Sequence, residues 1–304
     1  MEKRIISFLP SATEILYELD AGNQIVGVTH ECNFPDDAKR KPRVIHSSFD
    51  PNQMDSKGID SKVIQLMQSK EDIYTIDEQV LKKANPDLII AQGLCEVCSP
   101  FTKEVSRAVS ILNNKPDVVI LDPHNLDDIL TNIMDVATKI NKTKQAEDMI
   151  ISLQKRIANV ENKSAKFRPK VLCVEWLDPI FTAGHWIPQM VEMAGGINGI
   201  SIPDKPSRRM GIDEVVKFDP DIVVLMPCGF GIPRIHEEYV SLAASKEWRS
   251  LHAVHNNQVY AVDANSYFSK PSPRTITGLE ILAKIIHPEN FADLVVPKDS
   301  FVKI

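Results

Sequence analysis

The stretch Leu81-Lys-Lys-Ala-Asn-Pro-Asp-Leu-Ile-Ile-Ala91 is matched 134 positions later by Val215-Val-Lys-Phe-Asp-Pro-Asp-Ile-Val-Val-Leu225. A second pair, Leu16-Tyr-Glu-Leu-Asp-Ala-Gly22 and Met190-Val-Glu-Met-Ala-Gly-Gly196, lies 174 positions apart. Self-similarity of this kind marks one architecture used twice. The offsets differ by 40, so the first half carries that many extra residues between its matched pieces. The first pair ends in short apolar runs without alternation, as strands buried on both faces should. Comparable runs fall at 4–8, 25–29, 44–46, 88–91 and 118–121, then at 171–176, 222–226 and 259–262, each bounded by Pro, Gly or Asp.

Helical patterns separate these runs. Ser11 with Glu14 three residues on reads as a capping box ahead of Ile15, Leu16 and Leu19, which makes the start of the chain β-α-β. Ser272-Pro273 reads as an N-cap followed by Pro at the first helical position, ahead of Ile276, Leu279, Ile281, Leu282 and Ile285. Between the halves, apolar residues from Leu126 to Val160 recur at three and four with no Gly or Pro. One helix of about 35 residues, on the order of 50 Å long, is expected there. The fold class that follows is α/β: two doubly wound α/β lobes, 1–124 and 163–304, joined by one long α-helix over 125–162, with a ligand cleft between the lobes.

The chain has 304 residues, 43% apolar and 25% charged, with 12 Gly, 20 Pro and a net charge of −6. That composition excludes disordered and collagen-like classes, and no apolar stretch is long enough for membrane insertion. A mildly acidic chain with scattered Lys and Arg lacks the positive field that nucleic acid requires. Five cysteines are odd in number and too few for a stapled scaffold, so they read as thiols or ligands. The run Ile5-Ile-Ser-Phe-Leu-Pro10 is too short for a signal segment, and a cytoplasmic location is expected.

Ligands of open α/β sheets lie beyond the carboxyl ends of strands. The unusual residues of this chain fall there: His30-Glu-Cys32, Gln92-Gly-Leu-Cys-Glu-Val-Cys98, Glu175-Trp176, Gly184-His-Trp186 and Pro227-Cys-Gly-Phe230. Several readings stay open. His30, Cys32, Cys95, Cys98, His185 and Cys228 could supply thiolates and imidazoles to zinc, although a single C-x-x-C is a weak signal and such cysteines are often small buried hydrophobes. A dithiol redox pair at Cys95 and Cys98 is opposed by Glu96. Trp176, Trp186, Phe230, Tyr267 and Phe268 could present a flat apolar surface with polar rims, as a large planar ligand needs. No nucleotide-binding, nucleophile-elbow or zincin motif occurs, so nothing supports catalysis.

Taken in order, several stretches resemble the substrate-binding proteins of the vitamin B12 (cobalamin) ABC importers, of the class III periplasmic-binding-protein type. They are Ser7-Phe-Leu-Pro-Ser-Ala-Thr-Glu14, Ile25-Val-Gly-Val-Thr-His-Glu-Cys32, Pro86-Asp-Leu-Ile-Ile-Ala91, Gln92-Gly-Leu-Cys-Glu-Val-Cys98, Gly184-His-Trp-Ile-Pro188, Ala194-Gly-Gly196, Pro227-Cys-Gly-Phe230 and Ser272-Pro-Arg274. The resemblance implies two lobes bridged by a long helix and non-catalytic binding of a corrinoid. Haem, siderophores and bare metal ions are the alternatives within the superfamily. The ligand positions it implies are Pro10, Ser11, His30, Glu31, Cys32, Gln92, Gly93, Cys95, Trp176, His185, Trp186, Cys228, Gly229, Phe230 and Tyr267. An ABC permease is the partner of exported members. A chain without an export signal is expected to bind its corrinoid inside the cell, in salvage or storage.

Overall fold

The computed structural model describes residues 2–94, 102–163 and 167–304. They divide into two compact units: Met1–Gln53, Ser61–Pro123 and Asp127–Ile151 form the first, and Met54–Asp60, His124–Leu126 and Ser152–Ile304 the second.

In the first unit β1 (Ile5–Ser7), β2 (Ile25–Thr29), β3 (Arg43–Ser47), β4 (Tyr74–Ile76), β5 (Leu88–Gln92) and β6 (Asp117–Leu121) form one sheet, ordered β4-β3-β2-β1-β5-β6. Only the β3/β4 pair is antiparallel. The chain winds outward from β1 to β3 and returns on the other side at β5, which is the doubly wound path expected of unalternated apolar runs. Leu88, Ile89, Ile90 and Ala91 of β5 are wholly buried. Burying a Leu or Ile of this kind contributes about 1.5–3 kcal/mol. Helices α1 (Pro10–Glu18), α2 (Ser56–Ser69), α3 (Glu78–Ala84) and α4 (Thr102–Ile111) connect the strands. Leu81, Ala84, Val105 and Ala108 from α3 and α4 join Ile6, Val44, Ile89 and Ala91 of the sheet in one apolar cluster.

The segment expected to be a single helix is two, α5 (Leu126–Lys139) and α6 (Thr143–Asn162). Asn141 sits between them at φ 59. The Lys142 N–H turns back to the Ala137 carbonyl at 2.8 Å, closing the first helix with a left-handed cap. Asn tolerates that conformation almost as Gly does, so no Gly or Pro announces the break. The start of α1 is also corrected. Leu9, extended at φ −150, is the N-cap and Pro10 takes the first turn, which places Ser11 and Glu14 inside the helix, both buried. Proline suits that position because its fixed φ is helical and its missing N–H is not needed there.

The second unit holds β7 (Val171–Trp176), β8 (Phe181–Thr182), β9 (Arg208–Arg209), β10 (Ile222–Leu225), β11 (Val259–Val262) and β12 (Phe301–Lys303), ordered β12-β11-β10-β7-β8-β9. Here β7, β10 and β11 are parallel, and the strands flanking them are antiparallel. Its helices are α7 (Ile187–Met193), α8 (Ile212–Phe218), α9 (Ile232–Ala243), α10 (Lys246–Arg249), α11 (His252–His255), α12 (Ala264–Tyr267) and α13 (Thr275–Ile286). The last starts three residues after the expected N-cap. Ser272 instead anchors a lead-in turn, its Oγ accepting the Arg274 N–H at 3.3 Å and its carbonyl the Thr275 N–H at 2.9 Å.

The repeated stretch is the same corner built twice. α3 ends at Asn85 (φ 40) and α8 at Asp219 (φ 46), both left-handed. After the proline, the Asp87 and Asp221 carboxylates accept the backbone N–H of Arg4 and Lys170 at 2.9 and 2.7 Å. Those two basic side chains reach back to the carbonyls at the ends of α3 and α8: Arg4 Nε to Ala84 at 2.9 Å, Lys170 Nζ to Phe218 at 2.9 Å. The register agrees as well, Leu88 opposite Ile5 and Ile222 opposite Val171. What differs is the next strand. The full β2 of the first unit has as its counterpart a single parallel bridge, Lys170 to Ile197.

Candidate functional site

In the first unit the carboxyl ends of β1 and β2 are held by a buried polar cluster. Thr13 Oγ1 lies 2.9 Å from Ser7 Oγ and 3.1 Å from Cys32 Sγ, and Cys32 lies 3.3 Å from Thr29 Oγ1. Arg43 spans the end of β2, donating to the carbonyls of Thr29 at 2.6 Å and Cys32 at 2.9 Å. Burial pushes the Cys32 thiol up, against the pull of its bonds to Thr13 and Thr29. Its side chain is fully enclosed within this cluster. Pro10, Ser11 and Gln92 are likewise buried.

His30 and Glu31 are the half-buried residues at this end. Burial holds the His30 imidazole below the usual histidine range, while Glu31, 3.9 Å away, pulls in the opposite direction. The His30 ring lies 6.0 Å from that of Tyr74. Gly93 follows β5 half-buried, its N–H bonded to the Leu121 carbonyl at 2.8 Å. Cys95 and Cys98 lie outside the described residues.

In the second unit the carboxyl ends of β7 and β10 bring Trp176 and Phe230 together, ring centroids 5.3 Å apart. Arg234 of α9 covers the other ring with its guanidinium 3.8 Å from the Phe230 centroid. Arg234 also donates to Glu238 at 3.0 Å and to the Met54 carbonyl at 2.7 Å, and the Trp176 indole N–H donates to the Ser56 carbonyl at 3.1 Å. Phe230 is therefore a buried support, and the half-buried Trp176 ring is what remains for a ligand. Trp186 is enclosed as well. It is 4% exposed with its N–H bonded to the Phe268 carbonyl at 3.1 Å, so it belongs to the core.

His185 is aimed by its backbone. Its φ is 53, and its N–H donates to the Lys205 carbonyl at 2.7 Å. The preceding Gly184 lies so close to the strand of chain beside it that a Cβ would stand 2.3 Å from the Ser207 nitrogen. The Glu175 carboxylate accepts the Gly184 N–H at 3.1 Å. This loop presents the His185 ring 6.0 Å from that of His124 and stacked 5.7 Å from that of Trp186. A non-Gly residue held left-handed costs energy that functional sites commonly store.

Cys228 and Gly229 follow β10. The Cys228 N–H bonds the Glu175 carbonyl at 3.1 Å, and Gly229, at φ 78, gives its N–H to Ser269 Oγ at 3.0 Å. Tyr267 is half-buried with the Arg274 guanidinium 5.8 Å from its ring centroid, and burial with the nearby Asp263 charge raises its hydroxyl. Two members of the six-residue set expected for zinc, Cys95 and Cys98, lie outside the described residues. Among the described residues no three His, Cys, Asp or Glu side chains gather as a metal site requires. The residues that the motifs did not single out are Arg43, His124, Ser56 and Arg234. For Ser56 and His124 the signal is tertiary: they meet Trp176 and His185, which lie far from them in sequence.

A family described as "Periplasmic binding protein" matches residues 5–266. The chain belongs to that family. An ABC transporter substrate-binding lipoprotein of Bacillus subtilis, YvrC, is 24% identical over 303 residues, covering 96% of this chain and 82% of the relative. The vitamin B12-binding protein of Vibrio cholerae is 23% identical over 285 residues, covering 91% of this chain and 87% of the relative. The solved heme-binding protein RhuT of Roseiflexus sp. RS-1 shares the fold with a TM-score of 0.71 at 19% identity, over 95% of this chain and all of that one. Periplasmic binding proteins hold small-molecule ligands for ABC permeases, and this chain is a binding protein, not an enzyme. No helix among its described residues is long and apolar enough to cross a membrane.

Proposed function

We propose that this periplasmic binding protein holds a corrinoid, without chemistry on it. The observation that carries the reading is the match to a vitamin B12-binding protein along nine-tenths of the chain. The site supports it in kind: Trp176 and Tyr267 are half-buried aromatics, with His185 fixed on the same unit, and a large planar ligand needs apolar surface with a few oriented polar groups. Calorimetry and visible spectra with cyanocobalamin, dicyanocobinamide and hemin test it. Submicromolar binding of a corrinoid with Trp fluorescence quenching is expected; no corrinoid binding at high micromolar concentration, or binding of hemin alone, overturns it.

The reading includes a cytoplasmic location, where the corrinoid is held for salvage or storage. Free thiols at Cys32, Cys173 and Cys228 support a reducing compartment. Fractionation of the source cells checks this, and recovery in the exported or membrane-anchored fraction overturns it.

A further inference from the structure

Met54–Asp60 count with the second unit. They come from the interval between Gly22 and Leu81, which is 40 residues longer than its counterpart between Gly196 and Val215. The interval therefore brings the second unit a piece that the repeat alone does not contain. Ser56, the first residue of α2, is buried, and one carboxylate holds it twice. Glu238 of α9 accepts the Ser56 N–H at 2.8 Å and, with the same oxygen, the Ser56 hydroxyl. The Ser56 carbonyl in turn accepts the Trp176 indole N–H at 3.1 Å. The other Glu238 oxygen accepts Arg234 Nε at 3.0 Å. That guanidinium donates to the Met54 carbonyl at 2.7 Å and lies 3.8 Å from the centroid of Phe230, whose ring closes the circuit against Trp176. At 14% exposure the Glu238 side chain is not a solvated surface acid, and its bonds count for more there than in water.

A tryptophan offered to a ligand has two soft angles, and its ring becomes a fixed wall only when its face and its N–H are both held. We propose that Glu238 is the positioning residue for Trp176: through Ser56 it fixes the plane of the indole offered to the ligand. Glu238 acts through Ser56 and not on the ligand. The inference rests on the corrinoid reading, in which the Trp176 ring is part of the apolar surface that a large planar ligand needs. Holding that ring in place before the ligand arrives removes part of the ordering cost of binding. Glutamine copies the shape of glutamate but has a single accepting oxygen, so Glu238→Gln leaves either Ser56 or Arg234 without its acceptor.

The full chain without ligand is read first, by the indole N–H resonances of its three tryptophans in nitrogen-15 NMR. The Trp176 resonance is the one lost in Trp176→Phe. Glu238→Gln is expected to move that resonance and to leave those of Trp186 and Trp248 in place. Ser56→Ala, which removes one of the two bonds to the carboxylate, moves it less. Calorimetry with cyanocobalamin is the second arm. Loss of charge-assisted bonds sets the scale, so Glu238→Gln weakens binding about five- to tenfold. In a Trp176→Phe background the same change has no further effect, a coupling that a merely structural role does not produce. If Glu238→Gln does not fold, Ser56→Ala carries both arms, with a loss of about two- to threefold. If the Trp176 resonance stays in place, or all three indoles move alike, or cyanocobalamin binding is unchanged or falls equally in Trp176→Phe, Glu238 only holds the fold and this inference alone is overturned. A parent that binds hemin but no corrinoid overturns the corrinoid reading, and the same cycle run with hemin then decides this inference. A parent that binds neither overturns both.

Discussion

At His30 burial disfavours the protonated imidazole in the folded chain. Burial lowers the folded pKa, so below about pH 6.5 the unfolded state binds more protons, and stability present above that pH is lost as it falls. The slope from one such group is at most about 1.4 kcal/mol per pH unit. His30→Asn is expected to flatten the fall between pH 6.5 and 5 in urea titrations of the unliganded protein; an unchanged slope refutes the assignment. The cysteines divide by the same physics. In the native protein an alkylating probe mapped by mass spectrometry should label half-buried Cys228 well before Cys32 or Cys173, whose thiols are enclosed and raised by burial. Fast native labelling of Cys32 would contradict its place among Ser7, Thr13 and Thr29. That these residues follow strands was legible, because strand ends after apolar runs can be located from sequence. Exposure was not. Trp176 and Trp186 look alike in sequence, and only the indole bond of Trp186 to Phe268 separates core from surface.

Elements were legible where repetition or an unbroken apolar run gave them away. The central strands stand where the sequence places them, while β4, β8, β9 and β12 are two or three residues long and too short for any period to register. The division of α5 from α6 was hidden because an Asn can take the left-handed cap that Gly usually takes. Asn141→Gly is therefore expected to leave the thermal midpoint equal or slightly higher, and Asn141→Ala to cost about 1 kcal/mol. A stabilising Asn141→Ala would mean that the two helices prefer to merge.

Across the whole molecule the chain passes from unit to unit at residues 53/54, 60/61, 123/124, 126/127 and 151/152. The first unit is therefore not a contiguous block ending near residue 124. It needs Asp127–Ile151, which contribute the wholly buried Ile129, Ile133, Val136 and Ala137. A fragment ending at residue 124 is expected to aggregate or lack cooperative unfolding by circular dichroism, whereas one ending near 151 keeps those residues; equal behaviour of the two would refute this. The twin corners carry a consequence for how the molecule can be altered. Asn85 and Asp219, and with them Arg4 and Lys170, hold equivalent positions in the two corners. Trading each residue for its counterpart, as in Arg4→Lys with Lys170→Arg, should change the melting temperature less than replacing either basic residue by Ala. The two halves would thus accept each other's fittings at this joint, although the full strand beside it in one has only a single bridge as its counterpart in the other.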